Sequence, residues 1–108
     1  MRKIRFGLSL PPLVADVEQL RALTLLADAA GLDLLGIQDH PYVPQFLDTM
    51  SLIAVLLAET KNIRIFPNVA SLPLRSPALL AKTAASLDVL SGGRFELGIG
   101  AGASWDGI

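Results

Sequence analysis

Asp39-His40 is the only plausible acid/base unit in this chain, and His40 is its single histidine. A neutral imidazole gives or takes a proton near neutral pH, and an adjacent carboxylate shifts its pKa or orients it, although neighbours on extended backbone face opposite ways. The same two residues also fit a histidine packed at a strand end, with its ring nitrogens satisfied by backbone. Gly98-Ile99-Gly100-Ala101-Gly102 strips side chains from a loop, which lets backbone amides approach a phosphate or a flat ring. Its GxGxG spacing is a weak dinucleotide fingerprint, and a tight barrel strand requiring small residues accounts for it equally well. Asn68-Val69-Ala70-Ser71 puts small and polar residues at the end of an apolar stretch, as a bulge beside a ligand does, or an ordinary loop. Arg75 has the chemistry to hold a phosphate, but beside the helix start at Pro77 a solvated side chain is expected. Trp105, the one tryptophan, either stacks on a ring or begins a further buried element. One His and no Cys leave no dedicated metal site to expect.

For these groups to act together, the elements between them must bring them to one place. Apolar runs and helical stretches alternate with a period of about thirty residues. Ile4 to Leu10 is predicted as a first strand. Asp16 is a helix N-cap with Gln19 as its capping-box partner, Leu20, Leu23, Ala27 and Ala30 mark one face, and Gly31 is the stop. Leu34 to Gln38 is a second strand. Asp48 caps a second helix reaching about Thr60, with Leu52, Val55, Leu56 and Glu59 at helical spacing. Ile63 to Val69 is a third strand, and Ser76-Pro77 opens a third helix that runs through Leu90 and ends at Ser91-Gly92-Gly93. Phe95 to Ile99 is a fourth strand. Strands separated by helices imply right-handed βαβ crossovers and a parallel sheet, here apolar on both faces, so the fold class is α/β. Each segment that packing alone does not explain follows a strand: Ser9 to Pro12, Asp39 to Pro41, Asn68 to Ser71 and Gly98 to Asp106. The carboxyl ends of parallel strands share one face, so these four loops form one candidate site.

The chain has 108 residues, 52% of them hydrophobic and only 18% charged, which is apolar for so small a domain. Such a composition implies burial against a partner or membership of something larger. A net charge of −1 argues against nucleic acid or an anionic membrane as partner. Absence of Cys excludes a disulfide framework and thiol chemistry, and a cytoplasmic location fits it. No uncharged run is longer than ten residues, whereas a membrane-spanning helix needs about twenty, so none is expected. Met1-Arg2-Lys3 is followed by an apolar stretch that breaks at Pro11-Pro12 without a small-residue cleavage pattern, and no signal peptide is expected.

The segment from Leu87 to Gly102, LDVLSGGRFELGIGAG, resembles the hallmark of luciferase-like flavin- or deazaflavin-dependent oxidoreductases. Leu74-Arg75-Ser76-Pro77 and Gly36-Ile37-Gln38-Asp39-His40 are similar to the family's other signatures, in the same order, and the resemblance covers the whole chain. It implies a (β/α)8 TIM barrel, of which residues 1–108 are the N-terminal half with four strands and three helices. Across the C-terminal strand ends of that barrel lies FMN or coenzyme F420, the choice staying open. The resemblance further implies His40 as catalytic acid/base with Asp39 accompanying it. Asn68, Val69 and Ala70 then match a bulge behind the cofactor ring, where the family often has a non-prolyl cis peptide at the position of Asn68-Val69. Gly100, Ala101 and Gly102 match the loop that approaches the cofactor. The reaction implied is hydride transfer or oxygen activation on a small-molecule substrate. The partner expected is a second copy or the missing C-terminal half, since early helices of the family commonly form a dimer interface and Ala78, Ala81, Ala84 and Ala85 allow close helix contact. The alternative is a non-catalytic half-barrel that serves as an association or flavin-binding module.

Overall fold

Short parallel strands alternate with three helices along residues 2–102, the part of the chain that the computed structural model describes. β1 (Gly7–Leu10), β2 (Leu34–Ile37) and β3 (Arg64–Pro67) form a parallel sheet in that order, with Gly7, Leu34 and Arg64 in register. A second parallel pair follows, β4 (Ala70–Ser71) with β5 (Ile99–Gly100). The helices are α1 (Val17–Ala29), α2 (Thr49–Glu59) and α3 (Pro77–Leu90).

The third predicted strand thus stops short, at Pro67, with a further strand beyond it, and the fourth is split. β3 ends at Pro67, the Asn68–Val69 peptide is cis, and pairing resumes at Ala70. Opposite this break Phe95 bridges Ile65, Leu97 and Gly98 leave the ladder, and the Ala70 N–H then donates to the Gly98 carbonyl at 2.7 Å. Both strands bend at the same level, so the ladder is restored two residues later with its loops pushed outward.

Helix ends follow local chemistry where the backbone permits it. Gly31 has φ +85°, its N–H bonds to Asp28 O and the Leu32 N–H to Ala27 O, a Schellman stop. Gly92 repeats it at φ +67°, with the Gly93 N–H on Asp88 O at 2.8 Å. Asp48, in extended conformation, accepts the Ser51 N–H at 2.9 Å and caps α2 as expected. The capping box expected at Asp16 does not form. A 3-10 turn over Val14–Asp16 leads into α1, so Asp16 is already close to helical backbone and its carboxylate makes no cap bond. Ser76 makes no side-chain cap either, and α3 starts on Pro77 at its first turn.

The core lies between the sheet and α2, where Leu35, Ile37, Ile53, Leu56, Ile63 and Ile65 are fully enclosed. The stripe that α2 buries runs through Thr49, Leu52, Ile53, Leu56 and Leu57, rotated from the predicted one, and Val55 stays exposed. Alternation along the strands turns Leu8, Leu10, Leu35, Ile37, Ile65 and Pro67 to the helices and Gly7, Ser9, Leu34, Gly36, Arg64 and Phe66 to the other side. That second face is not covered by any helix among the described residues, contrary to the expectation of a sheet apolar and buried on both sides. It carries glycine, serine and arginine, as the interior wall of a barrel does before it closes.

At the end of the sheet remote from the loops, Asp28 ties α1 to the start of β3. Its carboxylate accepts the N–H groups of Lys61, Asn62 and Ile63 at 2.8 to 2.9 Å. Burial opposes its charge, but these donors outweigh burial and hold the carboxyl below its usual pKa. Arg94 donates to Leu57 O, a carbonyl that the C-terminus of α2 leaves free, and to the Thr60 hydroxyl.

Candidate active site

β2 delivers Asp39 and His40 to the loop face, β4 delivers Ser71, and β5 delivers Gly100 to Gly102. Their side chains take different partners. Asp39 is 1% exposed at its side chain and accepts three hydrogen bonds: Ser71 N–H at 2.8 Å, Arg75 Nε at 2.9 Å and Arg75 Nη2 at 2.7 Å. The Arg75 fork also reaches Asp48 Oδ1 at 3.1 Å, so one guanidinium joins the loop after β2 to the N-terminus of α2, while Asp39 itself holds the end of β4 through Ser71. Hydrogen bonding to Asp39 pushes the Arg75 pKa further up, against the effect of burial. At Asp48 burial opposes the charge, but the Ser51 and Arg75 donors prevail and lower its pKa. The solvated Arg75 expected from sequence is therefore corrected: only 16% of its side chain is exposed, because two carboxylates converge on it.

His40 does not bond Asp39. Its Nδ1 lies 2.7 Å from the Tyr42 hydroxyl, and its ring packs edge-on to Tyr42 and tilted against Phe46 at centroid distances of 5.5 and 6.1 Å. Imidazole and carboxylate are neighbours in sequence that serve separate networks, one with Tyr42 and Phe46 and one with Ser71 and Arg75.

Between these loops lies a cavity of about 230 Å³, lined by Asp39, His40, Asn68, Val69, Ser71, Gly100, Ala101 and Gly102. Seven of the eight residues named from the sequence as catalytic or cofactor-binding line it. Ala70, the eighth, is fully buried behind the wall, where it pairs with Ile99. Glycine is required at two points. A Cβ on Gly100 would stand 2.4 Å from Val69 Cγ2, and Gly102 holds φ +89° with a Cβ position 3.1 Å from Pro73. The loops can meet at this distance only because those side chains are missing. Trp105 lies outside the described residues.

Sequence reasoning placed Ser71 in a loop of the candidate site without naming it as a contact, and missed Arg75 as the group that fixes Asp39. The available signal for Arg75 was a lone cation within an apolar stretch, downstream of two loop carboxylates. A second hollow, of about 470 Å³, lies between α2 and α3 beside Leu74, Arg75, Leu79 and Leu80. Among the described residues no helix is long and apolar enough to cross a membrane.

A sequence model of the family described as luciferase-like monooxygenase matches residues 4–107. The 5,10-methylenetetrahydromethanopterin reductase of Archaeoglobus fulgidus is 34% identical over 99 residues, which cover 92% of this chain and 29% of that protein. Two solved structures share the fold. The coenzyme F420-dependent tetrahydromethanopterin reductase of Methanopyrus kandleri has a TM-score of 0.84 at 26% identity, covering 94% of this chain and 28% of that one. The oxygenating constituent of 3,6-diketocamphane monooxygenase from Pseudomonas putida, a type II Baeyer–Villiger monooxygenase in complex with FMN, has a TM-score of 0.82 at 30% identity, covering 94% and 30%. The chain thus spans about a third or less of the length of these relatives.

Proposed function

As the chain belongs to the luciferase-like monooxygenase family, we propose that it forms the first βα units of an FMN- or F420-dependent oxidoreductase, the N-terminal part of a TIM barrel. The observation that carries this reading is the cavity at the strand ends, where residues from three separate strands converge around a wall thinned by glycine. A flat ring fits that wall: Gly100 and Gly102 remove the side chains that would fill it, and the buried Ser71 hydroxyl offers it a polar contact. When bound there, a flavin-type ring supplies the two-electron carrier that the protein's own side chains lack.

The residues then divide the work. Val69 and the Gly100 to Gly102 loop bind the ring by contact and keep water from its faces. His40, with Nδ1 taken by Tyr42, has Nε2 left, with which it would hold or move a proton at the substrate or orient a bound ring. Asp39 acts through Ser71 and Arg75, holding the ends of β2 and β4 at a fixed distance. The substrate is a small molecule, neither nucleic acid nor membrane, and a cytoplasmic site of action follows the same reading.

Titration of the chain with FMN and with F420, followed by the absorbance and fluorescence of each ring, tests it. One of the two is expected to bind saturably, and His40→Ala is expected to lower turnover in the full-length form at least tenfold more than affinity. Binding of neither ring refutes the reading for this chain. A second reading, a non-catalytic module that associates with its own copy or with the rest of a barrel, is favoured by the exposure of Leu79, Val89 and Leu90 on α3. The mass in solution, with and without ring, separates the two.

A further inference from the structure

Resting on the reading of the chain as the first units of a TIM barrel, we propose that the strand closing the barrel against β1 carries an inward carboxylate at its N-terminal end, which completes an ion cluster with Arg5, Arg64 and Glu96. The cluster lies on the sheet face that no helix covers, at the end remote from the ring cavity. Arg64 belongs to the inward set of β3. Phe95 bridges Ile65 and is buried in the core, so Glu96 points the other way, and Arg5 stands two residues before the inward Gly7. Arg5 Nη1 and Arg64 Nη1 both lie 3.6 Å from one oxygen, Glu96 Oε1. Arg64 is anchored further by its bond to Gly93 O at 3.0 Å. Asp33, which precedes β2, is already engaged, accepting the Phe6 N–H at 3.1 Å and facing Lys3 at 4.0 Å. Two cations therefore share one anion. With 53% and 41% of their side chains exposed, Arg5 and Arg64 lean on water for the charge left over. Closing a barrel removes that water, and an uncompensated charge costs far more in an enclosed interior than at a surface. In the order β1-β2-β3, β1 is an edge, and among the described residues nothing pairs with its outer side. A barrel abolishes such an edge by pairing it with the last strand. The hollow of about 650 Å³ beside Arg2, Lys3 and Arg5 lies at the foot of β1, and its lining is wholly basic. An acidic strand foot matches it in charge, whereas a second copy of this chain would bring the same cations.

The test uses the full-length form with Arg5→Met and Arg5→Lys. Methionine keeps much of the side chain's length and removes its charge. With the proposed carboxylate present, Arg5→Met leaves two anions to Arg64, and the urea midpoint is expected to fall by roughly 1 M or more. Without it, Glu96 and Arg64 balance one to one after the change, so a midpoint that holds or rises overturns the proposal. In residues 1–108 alone, where the cluster is half exposed, the same change is expected to move the midpoint by roughly 0.5 M or less. An equal fall there would place the missing partner within this chain and overturn the proposal. Arg5→Lys keeps the charge and supplies an amine that a water-soluble carbodiimide joins to a carboxylate in contact with it. Mass spectrometry of the digested product is expected to show a cross-link from position 5 to an acidic residue outside residues 1–108, and cross-links to Glu96 or Asp33 alone overturn it. A full-length form that binds FMN or F420 but gives no such link sinks this proposal and leaves the ring-binding reading standing. A link formed where neither ring binds sinks that reading and leaves the barrel closure standing.

Discussion

Replacing Arg75 by Met tests whether the wall of the cavity is held by charge. Asp39 is 1% exposed and takes two of its three hydrogen bonds from Arg75, so Arg75→Met leaves a buried carboxylate with the Ser71 N–H as its remaining donor. Removing one partner of a buried pair costs about 3–5 kcal/mol, whereas an exposed pair is worth about 1 kcal/mol at most. Arg75 keeps 16% of its side chain in solvent, which lets some water reach the vacated site and places the expected loss near the lower bound, at about 3 kcal/mol. With a urea slope of about 1–3 kcal/mol per molar, the midpoint should fall by roughly 1–3 M at pH 7. The combination Arg75→Met with Asp39→Asn should lose less than the sum of the separate losses, since no uncompensated charge is left behind, and the coupling should be about 1–3 kcal/mol. Urea unfolding of the four chains, followed by circular dichroism, measures all of this. A loss below about 1 kcal/mol for Arg75→Met, or two losses that simply add, would refute the ion pair as the clamp of the site.

Two further substitutions probe the ends of the sheet separately. Asp28→Ala removes the acceptor of three backbone N–H groups and is expected to cost about 2 kcal/mol in urea unfolding, with no effect on ring binding. Because Asp28 and Asp48 are held below the ordinary carboxyl pKa, their stabilisation is complete above about pH 5 and is lost as pH falls through about 3.9 toward their folded values. Asp28→Ala should flatten that acid loss, and a pH series of urea midpoints that is identical for both chains would contradict it. Gly100→Ala places a Cβ 2.4 Å from Val69 Cγ2, so Val69 must turn its side chain across the cavity or the two loops part. Ring affinity should drop more than tenfold while helix content is kept, and an unchanged Kd would show that the loop does not face the ring.

Much of the fold was legible because particular residues force particular backbone. Gly31 and Gly92 sit in left-handed conformation where a stop was needed, Asp48 caps α2, and Pro77 begins α3. The failures have equally local causes. A 3-10 turn is invisible to helical periodicity, so Asp16 was given a cap it does not make. The break at Asn68–Val69 was legible in the small and polar residues there and in the family resemblance, but that pairing resumes at Ala70–Ser71 opposite Ile99–Gly100 is a tertiary fact. The apolar excess of the composition falls partly on the surface: Val89 and Leu90 are 79% and 82% exposed on α3.

The site shows where such reading stops. That loops after parallel strands converge is topology, and it located seven of eight wall residues without knowledge of any distance. Which way a side chain is committed is a tertiary fact. Asp39 and His40 are adjacent, and adjacency suggested one acid/base unit. The carboxylate's partner instead lies 36 positions away at Arg75, because a desolvated charge requires a matching charge wherever the fold can bring one. The consequence reaches the chemistry. A histidine whose neighbouring carboxylate is engaged elsewhere has its Nδ1 paired with the Tyr42 hydroxyl, so a phenol orients its ring while an ion pair fixes its strand. Substitutions at Asp39 should therefore lower the urea midpoint and ring affinity first, and Tyr42→Phe, which frees the His40 ring to turn, should lower turnover of the loaded enzyme more than ring affinity.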